Sequence, residues 1–435
     1  MFLKKIIDSI ADAGKGLLKK TFSDKRNVET LLELSDDLIS YKGVASGIAI
    51  AREISEIYKE LSSEDKKKFF KAIDDKLKPN MDLVEQKSIE FVKEKNKEIL
   101  KSLASLAEGN RQEFIRRMNM APNGTAFLVS MREDLLTFLN EDPSLSDLDD
   151  DFRHLFRSWF NPGFLKLEKI TWETKAAILE RIIKYEKVHK IKDMDDLKRR
   201  LQEDRRFFAY FHPVLNDEPL IFVQVAFTEG LATSIQDIIK PNTVNNVKPD
   251  TATFYSISNC QQGLTNVTLG NFLIKRVVYE IQQENPQIRY FGTLSPLPGF
   301  VDWFNYLEPT QLVNILGEED FFKIKFLHNS EVKVGDPRVV ENKKIIKKLV
   351  IHYLLKEKQN NRPINPVTRF HLGNGASIQD VTINANISDY GYKESFGVMV
   401  NYVYHLDKLE RIHEDYISHN KISYSDKIKK YVQDK

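Results

Sequence analysis

The chain has 435 residues, room for two or three domains and for a core that needs no disulfide or metal staple. Its 41% hydrophobic and 29% charged content excludes wholesale disorder, and 65 basic against 63 acidic residues remove the overall charge that recommends a nucleic-acid binder. The single cysteine, Cys260, excludes a disulfide framework or a multi-thiolate zinc site within one chain and points to a reducing compartment, while the absence of any apolar run of about 18 residues excludes a membrane-spanning helix.

The opening MFLKKIIDSIADAGKGLLKKTF lacks the continuous apolar core of a signal peptide. With Asp8, Asp12 and no arginine before Arg26, it does not suit a mitochondrial presequence either. Ile6, Ile7, Ile10, Leu17 and Leu18 make one helical stripe, read as a docking helix in preference to a membrane-surface one. The final QDK is no peroxisomal tripeptide, so the cytoplasm is the expected compartment.

Leu31, Leu32, Leu34 and Leu38 share a helical face, and Ile48, Ile50, Ala51, Ile54, Ile57, Tyr58 and Leu61 continue the pattern. Ser62 with Asp65 three positions later reads as a capped helix start leading to Phe69, Phe70 and Ile73. One helix is expected from Asp82 to Gly109, its lysines and glutamates forming a solvated face. Pro122-Asn123-Gly124 breaks the pattern, and a further helix carries Phe127, Leu128, Met131, Leu135, Leu136 and Phe138. The acidic segment Asn140–Asp151 is rich in turn formers and predicts a loop or hinge.

Beyond about residue 165 the texture changes to strand, loop, helix, strand. Leu220–Phe227 and Ala252–Ser258 are continuous apolar runs of strand length. Leu269–Ile281 has helical spacing, Tyr290–Leu294 is a short strand, Asn342–Lys356 is helical, and Phe396–Tyr404 is a closing strand. The expected architecture is α+β: an all-helical domain over residues 1–165, serving packing or oligomerisation, and a mixed domain over 166–435.

The richest stretch for chemistry is SISNCQQGLTNVTLGN, residues 256–271. A strand ends, a glycine-bearing polar loop follows and a helix opens near Leu269, where unpaired N–H groups and the helix dipole can hold a pyrophosphate. Gly263 and Gly270 would let the chain approach the anion closely. Such loops also occur with no ligand, and neither a Walker loop nor a GxGxxG fingerprint is present. Ser295 precedes Pro296 and Pro298 at a strand end, where serine usually just opens a turn, and no Gly-x-Ser-x-Gly elbow surrounds it. His371 is expected in a turn between ordered segments, where histidine is commonly a hydrogen-bonding residue. Asn401, Tyr402 and Tyr404, with Tyr185, Glu186 and His189 of YEKVH, complete the polar candidates; individually each reads as a packing or network residue.

In combination the motifs say more. FYSISNCQQGL, LGNFLIKRVVYEIQ, LSPLPGF, FHLGNGA and SFGVMVNYVY, in that order, resemble the malonyl-CoA decarboxylase family. LLELSDDLIS with GVASGIAIAREI, DLDDDFRHLFRSWFNPGFLKLEKITW and YEKVHKIKDMDDLKRRL extend the likeness over nearly the whole chain. The resemblance implies a helical N-terminal domain, a catalytic domain of GNAT-like fold, a homo-oligomer (tetramer or dimer), and conversion of malonyl-CoA to acetyl-CoA and carbon dioxide without metal or organic cofactor. It puts Ser295 and His371 at the family's catalytic serine and histidine, and Thr265, Asn266, Val267, Thr268, Leu269, Gly270 and Asn271 on the loop that receives the CoA pyrophosphate. Tyr404 and Asn401 match active-site residues of the last strand, and Glu186 a carboxylate associated with activity. Thr268 departs from the glutamate of animal members, and their interchain disulfides, presequence and peroxisomal ending have no counterpart here. These departures suit a bacterial-type cytoplasmic enzyme with no nucleic-acid or membrane partner.

The chemistry so implied leaves an electron pair on the α carbon as a thioester enolate, which needs oxyanion stabilisation and then a proton. Ser295 is expected to hold the malonyl carboxylate and orient His371, with no acyl-serine, because the product keeps its thioester. Two other readings of the same loop remain: an acyl-CoA-dependent N-acyltransferase, which needs an acceptor amine, and a non-catalytic acyl-CoA sensor.

Overall fold

A computed structural model describes residues 2–17, 25–40, 43–240, 248–267, 272–328 and 332–432. Contacts divide the chain into two compact units. One comprises Met1–Lys166, Phe211–Leu220 and Gln261–Leu269; the other comprises Leu167–Tyr210, Ile221–Cys260 and Gly270–Lys435.

Among the described residues the first unit is built mainly from eight helices: α1 (Phe2–Leu17), α2 (Val28–Ser40), α3 (Val44–Glu60), α4 (Ser63–Leu77), α5 (Met81–Glu94), α6 (Lys97–Met118), α7 (Gly124–Leu139) and α8 (Ser146–Trp159). α1 docks on α3, but through small residues: Ala11 and Gly14 are buried while Ile6 is exposed, and a Cβ on Gly14 would meet the Ala45 carbonyl oxygen at 2.0 Å. Leu18 of the expected stripe lies outside the described residues. The Ser62 hydroxyl caps α4 by accepting the Asp65 N–H at 3.1 Å. Buried Phe69 and Phe70 then meet Tyr58 edge-on, with ring centroids 5.9 and 6.0 Å away.

Two expectations for this unit are corrected. The stretch Asp82–Gly109 is not one helix: Lys95 turns left-handed (φ 46°), the Asn96 side chain accepts the Glu98 N–H to start α6, and Gly109 (φ 68°) kinks α6 in turn. Nor is Asn140–Asp151 a hinge. Residues 140–145 are a turn and a short 3-10 start, but Asp147, Asp149, Asp150 and Asp151 occupy the first turns of α8, where the dipole favours them, and Asp149 and Asp151 are buried against Arg132 and Arg111. Turn-forming composition and a helix N-terminus look alike in one dimension, since both favour Asp and Ser.

The second unit holds a mixed sheet. Its strands are β1 (Lys166–Lys169), β2 (Arg205–Phe211), β3 (Pro219–Thr228), β4 (Thr251–Asn259), β5 (Tyr290–Thr293) and β6 (Ser295–Pro296), a separate ribbon of β7 (Lys358–Gln359) and β8 (Arg362–Pro363), then β9 (Ser377–Thr382) and β10 (Met399–Val403). Among the described residues the sheet order is β1-β2-β3-β4-β5-β10-β6, with β9 also on β10. The apolar runs of β3 and β4 are the buried centre and pair antiparallel, whereas β4 and β5 run parallel. The chain is thus helical first and mixed α+β afterwards. The closing strand starts at Met399, later than expected, because Phe396 (φ 52°) and Gly397 (φ 75°) form a left-handed turn. Helix Phe272–Glu284 carries the apolar spacing read from Leu269 onward.

Candidate active site

β5 and β6 are one strand broken at Leu294. Its N–H bonds the Phe254 carbonyl at 3.0 Å, and β4–β5 pairing ends at Phe254 opposite Thr293. Pro296 and Pro298 follow, and without N–H groups they cannot extend a ladder. Among the described residues β4 therefore has no strand beside it on that side from Tyr255 to Asn259. Ser295 emerges at this break, paired to Val400 of β10.

His371 comes from a helix, not from the expected turn. Asn365 caps Pro366–Gly373 by accepting the Thr368 N–H at 2.9 Å, Pro366 pre-sets the first turn, and His371 stands in the last. A proline-started helix of eight residues is too short to show a clear apolar period. Its Nε2 lies 2.9 Å from the Ser295 hydroxyl oxygen, and its Nδ1 lies 2.7 Å from the Tyr404 hydroxyl. Tyr402 stacks on the imidazole at 4.5 Å with an interplanar angle of 25°. Tyr402 stands on β10 and Tyr404 one residue past its end, two positions on, where its N–H still bonds the Phe291 carbonyl at 2.9 Å. The Ser295 O–H donates to the Thr293 hydroxyl at 2.9 Å, so the proton count gives His371 an Nε2–H that donates to Ser295 and an Nδ1 that accepts from Tyr404.

The chain Tyr404–His371–Ser295–Thr293 contains no carboxylate. Burial alone drives the His371 pKa down to about 3, outweighing the helix C-terminus that would favour a cation. Burial likewise raises the Tyr404 pKa well above the phenol value, so the resting chain is neutral throughout. This has a consequence for acid stability. The unfolded histidine takes a proton near 6.5 and folded His371 only near 3, so between these values the unfolded chain binds the extra proton and stability falls as pH falls. Denaturant midpoints of the His371→Gln protein should lose less between about pH 6.5 and 5 than those of the unaltered chain, by on the order of 1 kcal/mol per pH unit. Equal pH slopes would refute the buried neutral imidazole.

Asn401 and Glu186 are not bonded into this chain. The Asn401 amide donates to the Thr293 and Ala232 carbonyls, each at 2.9 Å, and its oxygen accepts from Thr382, so it braces the strand that presents Ser295. Glu186, which ends helix Ala176–Tyr185, is held by Ser256 at 2.7 Å, Ser258 at 3.3 Å, the Val188 and His189 N–H groups, and Gln224. Burial raises its pKa against these bonds. It anchors the open-edged part of β4. Neither Thr293 nor Gln224 stood out in the sequence; a hydroxyl and an amide inside apolar strands, without partners in view, were the available signals.

Of the expected CoA loop, Thr268, Leu269, Gly270 and Asn271 lie outside the described residues. Thr265, Asn266 and Val267 belong to the first unit and follow a single turn, Gln262–Leu264, packed on α7. Arg132 of α7, fully buried, donates to the carbonyls of Gly263 (2.6 Å) and Thr265 (2.9 Å) and pairs with Asp149 at 2.7 Å. The expectation that Gly263 serves close approach to an anion is corrected: a Cβ there would meet the Val129 carbonyl oxygen at 1.9 Å, so the glycine is needed for packing on α7. Asn266 is left-handed, with φ 61°.

A helical segment followed by a mixed-sheet domain that carries a buried hydroxyl–imidazole chain defines a two-part α+β protein with an enzyme-like site. Residues 163–435 match the malonyl-CoA decarboxylase C-terminal domain, and residues 77–160 match the malonyl-CoA decarboxylase N-terminal domain. The mitochondrial malonyl-CoA decarboxylase of Anser anser anser is 35% identical over 335 residues, 71% of this chain and 66% of that protein. That of Mus musculus is 34% identical over 336 residues, 70% and 67% of the two. The matched segment therefore spans about two thirds of these relatives' length. Among solved structures, malonyl-CoA decarboxylase from Rhodopseudomonas palustris superimposes with a TM-score of 0.86 at 40% identity, covering 93% of this chain and 99% of that one. The enzyme from Agrobacterium vitis gives 0.83 at 37% identity, covering 92% and 99%. The chain belongs to the malonyl-CoA decarboxylase family.

Proposed function

We propose that the chain decarboxylates malonyl-CoA to acetyl-CoA, with Ser295 and His371 handling the proton. The observation that carries this reading is the Ser295–His371–Tyr404 chain at a broken strand, in a protein of this family. The bond between the α carbon and the carboxylate breaks, carbon dioxide leaves, and its electron pair becomes a thioester enolate. One proton is consumed per turnover. The thioester is itself the electron sink, so the step as written calls for no cofactor.

Every group in the chain can serve either protonation state. Ser295 and Tyr404 are hydroxyls, able to donate to a neutral imidazole or accept from an imidazolium. The malonyl carboxylate, brought into a site of low dielectric, favours a charged His371, which burial by itself disfavours. Proton uptake therefore accompanies substrate binding. The enolate carbon takes the Ser295 proton and His371 Nε2–H replaces it, leaving a neutral imidazole whose remaining proton is on Nδ1, where the Tyr404 oxygen accepts it. Backbone N–H groups along the open side of β4 suit the enolate oxygen. The CoA portion is assigned to residues 265–271, the compartment to the cytoplasm and the assembly to a homo-oligomer.

The test is a coupled assay. Carbon dioxide and acetyl-CoA should appear from malonyl-CoA with no second substrate; turnover only with an added amine would mean an acyltransferase, and binding without turnover a sensor. Ser295→Ala should reduce kcat by on the order of 10²-fold or more, since it removes the proton relay. A near-normal kcat would discard the pair.

A further inference from the structure

The second unit contains a large cavity that neither Ser295 nor His371 lines. Its volume is about 1570 Å³, beyond the roughly 300–1,000 Å³ of ordinary small-molecule pockets. It lies between the segment Lys187–Asp204, the helix Ile235–Ile239 with Lys240, and the turn Asn386–Tyr390.

Its charge is asymmetric. Seven cationic side chains and four carboxylates line it. Arg199 and Arg200 are buried and already hold Asp204 and Asp196, which cancels their charge and makes them a rigid floor. Lys187, Lys190, Lys192 and Lys198 have no carboxylate partner among the described residues, against only Asp195 and Glu203 as unpaired acids there. Lys198 rests over the Trp172 ring at 5.8 Å, a contact that leaves its charge unneutralised.

A second observation is independent of charge. His189 lines the cavity, is only 7% exposed, and its Nε2 is buried with no hydrogen-bond partner. Burial first, then the Arg200 guanidinium, push its pKa down to about 3, so the ring is neutral. A hydrogen bond with the Tyr255 backbone favours N–H at the other ring nitrogen, which leaves Nε2 as an acceptor. Buried acceptors are rarely left unmet, and each one calls for an explanation.

We infer that this cavity is a second ligand site, for a small polyanion that also carries a hydroxyl: the unpaired lysines take the anionic groups and His189 Nε2 accepts the hydroxyl proton. Hydroxylated polycarboxylates and sugar phosphates share this chemistry. The inference does not depend on the decarboxylase reading, because none of its residues belongs to the Ser295–His371 chain.

Calorimetric titration of the full chain with citrate, and separately with ribose 5-phosphate, in a low-salt buffer free of both anion types tests it. Binding of either at one equivalent with Kd below about 1 mM supports the site, and preference between the two identifies carboxylate or phosphate. The double variant Lys190→Glu/Lys192→Glu should weaken that binding by about tenfold or more while turnover of malonyl-CoA without the anion stays unchanged. His189→Phe should weaken it further for the hydroxylated probe than for tricarballylate, which lacks the hydroxyl. No binding at about 10 mM, binding untouched by the lysine reversal, or displacement by saturating CoA would each overturn the inference.

Discussion

The His371→Gln protein is expected to show kcat lowered by on the order of 10²–10⁴, the range for loss of a positioned acid–base group. Glutamine keeps much of the volume and can still bond the Ser295 hydroxyl, but it cannot carry a proton from solvent to carbon. The imidazole occupies a pocket where Tyr402 stacks at 4.5 Å and Tyr404 bonds the far nitrogen at 2.7 Å, so small side chains would add a cavity to the chemical loss. The KM for malonyl-CoA should move by less than about threefold, since the adenosine and pyrophosphate portions are assigned elsewhere. Steady-state kinetics with a circular-dichroism check of folding decides the matter. A kcat within about twofold of the unaltered protein would remove His371 from the mechanism.

Arg132→Met should destabilise the first unit by about 3–5 kcal/mol, the cost of breaking a buried pair from one side. The side chain is fully buried, pairs with Asp149 at 2.7 Å and donates to two loop carbonyls, so its loss strands a charge and two acceptors together. Arg132→Met/Asp149→Leu should recover part of the loss, because it leaves no orphan charge. Urea denaturation of the single and double variants measures both. Recovery absent from the double variant would show that the carbonyl contacts, not the ion pair, set the stability. Because one of those carbonyls belongs to Thr265, the first residue of the stretch 265–271, and the other to Gly263 just before it, the single variant should also raise the KM for malonyl-CoA if that loop grips CoA; an unchanged KM would separate the loop from the substrate.

Elements with strong local signals were legible without coordinates. The leucines of α2 and the Ser62–Asp65 start of α4 were visible, because helical period and capping chemistry act within a few residues. The apolar runs of β3 and β4 were visible for the same reason: a strand covered on both faces must be apolar at every position. The strands β1, β2 and β9 were not read out. β2, with the sequence RRFFAYF, has two arginines at its start, and β9, SIQDVT, is half polar; each is a strand because neighbours supply its hydrogen bonds. The helix bearing His371 was hidden by its eight-residue length.

At the candidate site, the family resemblance, and not any local rule, singled out Ser295, His371, Tyr404, Asn401 and Glu186 as residues of interest. Their arrangement was another matter. Residue types and the break caused by Pro296 and Pro298 are local properties, and local rules state them fully. Which hydroxyl faces which ring nitrogen, and that Glu186 stands apart in a network with Ser256, depend on contacts between residues 76 and 70 positions apart, and the Ser295–Thr293 bond, although local in sequence, is set by the pairing of the broken strand with β10. The neutrality of His371 is also a tertiary property. An imidazole carries no memory of its sequence neighbours in its proton affinity; the walls that exclude water set it, and those walls come together only when the sheet and its helices pack.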